Sequence, residues 1–205
     1  MLEEKRGKFI VLDGIDGSGK SSQILNILNF ILNKDKHNHI IVTREPYKKR
    51  EIREILRQDN DAYSQAEKLA DLYVNDRKEH VKEIILPALE KGIFIISDRY
   101  KFATIAYQSA QGLDINKLIE MHIDMPVPDA TIIVDVPIEV AEKRMAKDSR
   151  QEHKFEADKE FQNKVRENFL KMPELLKDEK IFIVDGTKSI EEVGEEIIAI
   201  LDKIV

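Results

Sequence analysis

The sequence predicts an α/β fold of three layers: a central five-stranded parallel sheet covered by helices on both faces. Three observations carry that reading. Five short runs, at residues 9–12, 40–43, 93–97, 131–136 and 181–184, are β-branched and nearly continuous in apolarity, the pattern of parallel strands buried on both faces. Stretches of helical periodicity separate them, so strand and helix alternate along the chain. Polar clusters follow four of the runs directly: residues 13–21, Arg44-Glu45-Pro46, Asp98-Arg99-Tyr100 and Asp185-Gly186-Thr187. A doubly wound sheet binds its ligand outside the carboxyl ends of the strands, where these clusters fall.

The first run leads through a glycine-rich turn into a helix striped by Ile24, Leu25, Ile27, Leu28, Ile31 and Leu32, at gaps suited to one face. After the second run, Leu69, Leu72, Tyr73, Val81, Ile84, Ile85 and Leu89 predict one long helix. Past the fourth run, Phe161, Val165, Phe169 and Met172 recur as a helix-packing face. The last helix opens on Ser189-Ile190-Glu191-Glu192, a capping-box spacing, and continues through Ile197, Ile198 and Leu201. No linker, repeat or low-complexity stretch divides the chain, so residues 1–205 read as a single domain.

Composition narrows the functional classes. The 205 residues are 42% hydrophobic and 35% charged, as in a globular protein with a charged surface. No run approaches the roughly 20 apolar residues of a membrane helix, and the N-terminus lacks a signal-peptide core, so the expectation is a cytoplasmic protein with no membrane partner. Zero cysteines exclude disulfides, thiolate metal sites and cysteine nucleophiles. A net charge of −6 argues against nucleic acid as a partner. His37 and His39 stand in a loop without the Cys or clustered carboxylates of a metal site.

The turn after the first run is Gly14-Ile15-Asp16-Gly17-Ser18-Gly19-Lys20-Ser21, a G-x-x-x-x-G-K-[ST] phosphate loop between strand and helix. Its glycines let backbone N–H groups close around phosphate oxygens. Lys20 reaches the β- and γ-phosphates, Ser21 offers a hydroxyl to Mg²⁺, and the helix beginning near Ser22 turns its positive end to the anion. The fold is therefore a P-loop NTPase fold, with ATP as the expected ligand. Asp98 ends a strand, where a carboxylate holds Mg²⁺ through water. Arg99 beside it suits a second phosphate. Tyr73 and Arg77, four apart on a helix, share a face and couple a stacking ring to a planar cation. Thr104 and Gln108, also four apart, line one pocket with Tyr107.

Together and in this order, FIVLDGIDGSGKSSQ, TREP, LYVNDR and DRYKFATIAYQ resemble the thymidylate (dTMP) kinases. The resemblance implies a nucleoside monophosphate kinase that converts dTMP to dTDP with ATP·Mg²⁺ in dTTP biosynthesis, commonly as a homodimer. It implies that Asp98 and Arg99 serve the metal and the acceptor phosphate, and that Asp16 lies near the acceptor's 3′-hydroxyl and the metal. Glu45 and Pro46 would form the acceptor loop. Tyr73 stands where the family usually stacks Phe on thymine, and Arg77 where an arginine bonds the base. Tyr107 sits where a ribose 2′-hydroxyl would clash, Arg144 where an arginine packs on adenine, and Thr187 near the adenine. Ala103 replaces a familiar Ser, and with Tyr73 it leaves dUMP, UMP, CMP or a deoxynucleoside open as acceptors. A regulatory P-loop switch is the alternative of another class, but it needs no second anion site. Gly17 stands where some members carry a loop arginine. The catalytic cation is then expected from a lid at about residues 145–157, with Arg150 first and Lys154 next.

Overall fold

The protein is described by a computed structural model for residues 6–147, 155 and 158–205. Its five strands are all parallel: β1 (Phe9–Asp13), β2 (Ile40–Arg44), β3 (Phe94–Asp98), β4 (Ala130–Asp135) and β5 (Ile181–Asp185), in the spatial order β2-β3-β1-β4-β5. The register places Leu12 opposite Asp98 and Asp98 opposite Arg44, so the polar ends of three strands meet at one edge of the sheet. The strand order reverses beside β1, and the phosphate loop leaves that strand at the switch point.

Alternation along β1 assigns the two faces. Phe9 and Val11 enter one apolar cluster; Ile10 and Leu12 enter the other. The second cluster is roofed by α1 (Lys20–Lys34) and α9 (Ile190–Leu201), through Ile24, Ile27, Ile31, Val193, Ile197 and Leu201. The first is covered by α3 (Ala66–His80), α5 (Lys101–Ala110) and α8 (Lys159–Leu175), with α2 (Arg50–Gln58), α4 (Leu86–Glu90), α6 (Ile115–Glu120) and α7 (Ile138–Lys147) completing the helical set among the described residues. Phe161, Val165, Phe169 and Met172 are all buried on α8, and the Ser189–Glu192 capping box forms as its spacing requires.

Two expectations change. The continuous helix expected over residues 69–89 is α3, then a π-helical turn at Val81–Ile85, then α4. Pro87 lies in the first turn of α4 and has no N–H to give, so the wider turn absorbs it. Burial on both faces describes β1 and almost all of β3 and β4, whereas the edge strands keep Val42 and Ile183 exposed. Helices α2, α5 and α6 were not expected as separate elements.

Candidate active site

At the end of β1 the chain turns through residues 14–19 and enters α1 at Lys20. That lysine is buried, and its Nζ donates to the carbonyls of Gly14 (3.1 Å) and Ile15 (2.8 Å), which curls the loop around it. Burial pulls the ammonium down to about 8; Arg99 adds to this, while Asp16, Asp98 and Asp13 oppose it. Asp13 sits beneath the loop, accepting from the amides of Gly14 (3.1 Å), Tyr100 (3.2 Å) and Ala103 (3.2 Å). Burial raises its carboxyl to about 6 against the pull of Arg99 and Lys20. Gly17 has φ +77°, and a Cβ there would lie 2.6 Å from the Ala141 carbonyl oxygen on α7. A side chain at this position is thus excluded by backbone conformation and by contact.

Arg99 bridges the loop to the next wall. Its backbone is left-handed (φ 73°), its Nη1 donates to Gly14 O (3.1 Å), and its Nη2 pairs with Asp16 (2.9 Å) and lies 3.4 Å from the Tyr107 hydroxyl. Burial opposes this charge, but Asp16, the Tyr107 phenol, Asp13 and Asp98 hold the guanidinium protonated well above its usual range. Beside it, Asp98 pairs through Oδ2 with Arg44 (2.8 Å), while Oδ1 is buried with no hydrogen-bond partner among the described residues.

The far wall is a buried polar network. Arg77, 1% exposed, donates Nε to Glu45 Oε2 (2.7 Å) and Nη2 to the Tyr100 carbonyl (3.0 Å) and Thr104 Oγ1 (3.1 Å). Glu45 Oε1 faces His80 Nδ1 (3.2 Å), whose Nε2 meets Thr43 Oγ1 (2.8 Å). Asp76, next to Arg77, accepts from the backbone amides of Tyr47, Lys48 (2.9 Å) and Lys49 (2.7 Å), which ties the loop before α2 to α3. One turn along α5 from Thr104, Gln108 donates Nε2 to Gln111 Oε1 (3.0 Å), and Gln111 Nε2 in turn donates to the carbonyls of Ala62 and Ser64. Those carbonyls fix both amide orientations. They leave Gln108 Oε1 buried and without a hydrogen-bond partner among the described residues.

The loop, Arg99 and this wall open into one cavity of about 1250 Å³, with α2 and the start of α9 at its ends. A phosphate cradle and a second basic wall in one space are the arrangement of an enzyme with two anionic substrates. A family model described as thymidylate kinase matches residues 12–197.

The chain belongs to the thymidylate kinase family.

It is 38% identical over 202 residues to a probable thymidylate kinase of Pyrococcus horikoshii, covering 96% of each chain. It is 38% identical over 207 residues to a thymidylate kinase of Carboxydothermus hydrogenoformans, covering 96% of this chain and 98% of that one. With a thymidylate kinase of Nitrosomonas eutropha it shares 35% over 208 residues, 97% and 94% of the two chains.

Of the family site residues expected from sequence, those within the described part line the cavity with three exceptions: Gly14, Ile15 and Thr187. Gly14 and Ile15 act through their carbonyls on Lys20. The Thr187 hydroxyl and amide both turn back to Asp185 (2.6 and 2.9 Å), and Gly186, Lys188, Ser189 and Ile190 around it form the wall there. Arg144 spans Ser18 O (3.2 Å) and Gly186 O (2.8 Å), so it ties the phosphate loop to the segment after β5 through backbone contacts. Tyr73 lines the cavity on the Arg77 side, and burial pushes its phenol up to about 12. Asp16, expected near the metal as well as the sugar, faces Arg99 and the Tyr107 hydroxyl. Arg150 and Lys154 lie outside the described residues.

The basic residues Lys48 and Lys49 pair with Glu79 and Glu83 and do not line the cavity. Arg44, Arg53 and Arg57 do. The signal for the last two was present: four residues apart on α2, they share a face. His80 and His122 carried no signal, because their partners are distant in sequence.

Proposed function

We propose that this protein transfers the γ-phosphoryl group of ATP to dTMP, giving dTDP and ADP, as a step of dTTP biosynthesis. The supporting observation is the single cavity that runs from the phosphate loop to the wall of Arg77, Thr104 and Gln108, in a chain of the thymidylate kinase family. A dTMP phosphate oxygen attacks the γ-phosphorus in line, and the bond from that phosphorus to the β–γ bridging oxygen breaks. The acceptor phosphate is already ionised at neutral pH, so no strong base is required. Catalysis is placement plus stabilisation of charge. Lys20 and the loop amides hold the donor phosphates, and Arg99 grips the acceptor phosphate from the loop side.

The base-facing wall suits thymine. Arg77 is a donor for a carbonyl, and Gln108 Oε1 is an open acceptor for a ring N–H. Thymine and uracil offer O4 and N3–H in that order; cytosine offers a donor and an acceptor in reverse. Tyr107, whose hydroxyl lies 3.4 Å from both Asp16 and Arg99, closes the sugar side against a 2′-hydroxyl. Ser21 and Asp98 fit a Mg²⁺ carried on the nucleotide, since Asp98 Oδ1 is buried without a hydrogen-bond partner among the described residues and such ions bind through few protein groups plus phosphates. When bound, Mg²⁺ would neutralise charge on the β- and γ-oxygens.

The catalytic cation is assigned to Arg150, which lies outside the described residues, a cytoplasmic homodimer being the expected form. Arg150→Ala is expected to lower kcat strongly with little change in ATP affinity; unchanged kcat would remove Arg150 from the mechanism. A coupled assay with ATP and dTMP, dUMP, UMP or CMP tests the acceptor. The expected order has dTMP first and CMP last, and preference for UMP would overturn both the acceptor assignment and the role of Tyr107.

A further inference from the structure

We propose that His122 is a positioning residue of the acceptor site, fixing the plane and direction of the Arg77 guanidinium by accepting a hydrogen bond from its Nη1. The inference rests on the reading that Arg77 faces the acceptor base. His122 follows the end of α6, and its ring is buried. Nδ1 lies 2.7 Å from the Leu118 carbonyl and Nε2 lies 2.6 Å from Arg77 Nη1. A carbonyl only accepts and a guanidinium only donates, so both contacts are satisfied by one tautomer, with the proton on Nδ1 and the lone pair on Nε2. Burial holds the imidazole unprotonated down to about 3, and the positive charge of Arg77 acts the same way, with Lys101 and Lys78 adding to it.

The geometry explains why one acceptor on that edge matters. Glu45 takes the Nε–Nη2 edge of Arg77, while Thr104 and the Tyr100 carbonyl take Nη2 from β3's end and α5. His122 holds the opposite corner, so a planar group is pinned on both sides. Residues from four places in the chain (Glu45 after β2, Tyr100, Thr104 on α5 and His122 after α6) therefore converge on one cation. These contacts engage four of the five guanidinium N–H groups and leave one on Nη1 for the base; such a network rigidifies its members, and removing one acceptor leaves a buried donor that must turn elsewhere. In this site, Arg77 would turn away from the acceptor and not from ATP.

The test compares His122→Gln and His122→Leu with the parent protein. Glutamine can place Oε1 near the position of Nε2; leucine fills the space and accepts nothing. The parent is first assayed with dTMP, dUMP, UMP and CMP. A different preferred acceptor would sink the dTMP assignment alone, and the His122 comparison would then be made on that acceptor. His122→Leu is expected to raise the acceptor KM on the order of tenfold, with the ATP KM changed less than about twofold, and His122→Gln to restore most of the loss. Equal rises in both KM values, or no rise, or a glutamine variant no better than leucine, would overturn the proposal. If His122→Leu does not fold, His122→Asn replaces it: its shorter side chain can retain the Leu118 contact without reaching Arg77. An asparagine variant with the parent's acceptor KM would overturn the proposal equally.

Discussion

The two ends of the cavity are built on different principles. In the donor cradle, Lys20 reaches carbonyls only six and five residues back, and the partners are backbone atoms. In the acceptor wall, Arg77 meets Glu45 across 32 residues, Thr104 across 27 and His122 across 45, and nearly all partners are side chains. The cradle is consequently local, with few positions where side-chain identity matters. The wall is a tertiary object that also holds β2, α3, α5 and the end of α6 together. Damage to the cradle should appear mainly in chemistry, while damage to the wall should appear in stability and acceptor binding together.

The largest effect expected from this contrast is on stability. Arg77→Met strands the buried Glu45 carboxylate, and loss of one partner from a buried pair costs about 3–5 kcal/mol. Chemical denaturation should show that loss, with partial recovery when Glu45→Leu is added; a loss under about 1 kcal/mol would mean the wall contributes little to holding the fold. Lys20→Met should do the reverse, lowering kcat by about 10²–10³ while the denaturation midpoint stays close to that of the parent. A fall in stability as large as that of Arg77→Met would erase the distinction.

A pH measurement sharpens it further. An unfolded chain protonates His122 near 6.5, while burial and Arg77 keep the folded form unprotonated to about 3. Between those values the unfolded state binds more protons, so stability falls as pH falls, by about 2 kcal/mol from pH 6.5 to 5. Asp13 acts oppositely: raised to about 6 from 3.8, it binds its proton first in the folded state, and that contribution is lost as pH rises through 6. Subtracting the curve of His122→Gln from that of the parent isolates the histidine, and a flat difference would show that His122 is not held unprotonated. Gly17→Ala is expected to cost about 1–2 kcal/mol from the left-handed backbone, with a further loss from the Ala141 contact, read as a lower Tm.

Legibility from sequence follows the same division. The phosphate loop was readable because a contiguous motif between a strand and a helix makes its own contacts. Apolar periodicity located all five strands and the packing face of α8. It merged α3 and α4, since a stripe at gaps of three and four does not register the π turn before Pro87. Arg53 and Arg57 were overlooked because α2 is short, with few apolar residues to announce it. The Asp185 contact of Thr187 was not read from sequence, although a hydroxyl two residues from an aspartate readily finds that partner. The partners of Arg77 were illegible for a stronger reason: nothing in a linear pattern says that His122 and Glu45 meet on one guanidinium.

The most direct test of the account follows the phosphoryl group itself. ATP labelled at the γ-phosphorus is incubated with dTMP, Mg²⁺ and the protein, and the products are separated by anion exchange. The account predicts label in the β-position of dTDP, formed in step with ADP and with little inorganic phosphate. Label appearing only as inorganic phosphate, at the same rate with or without dTMP, would contradict it.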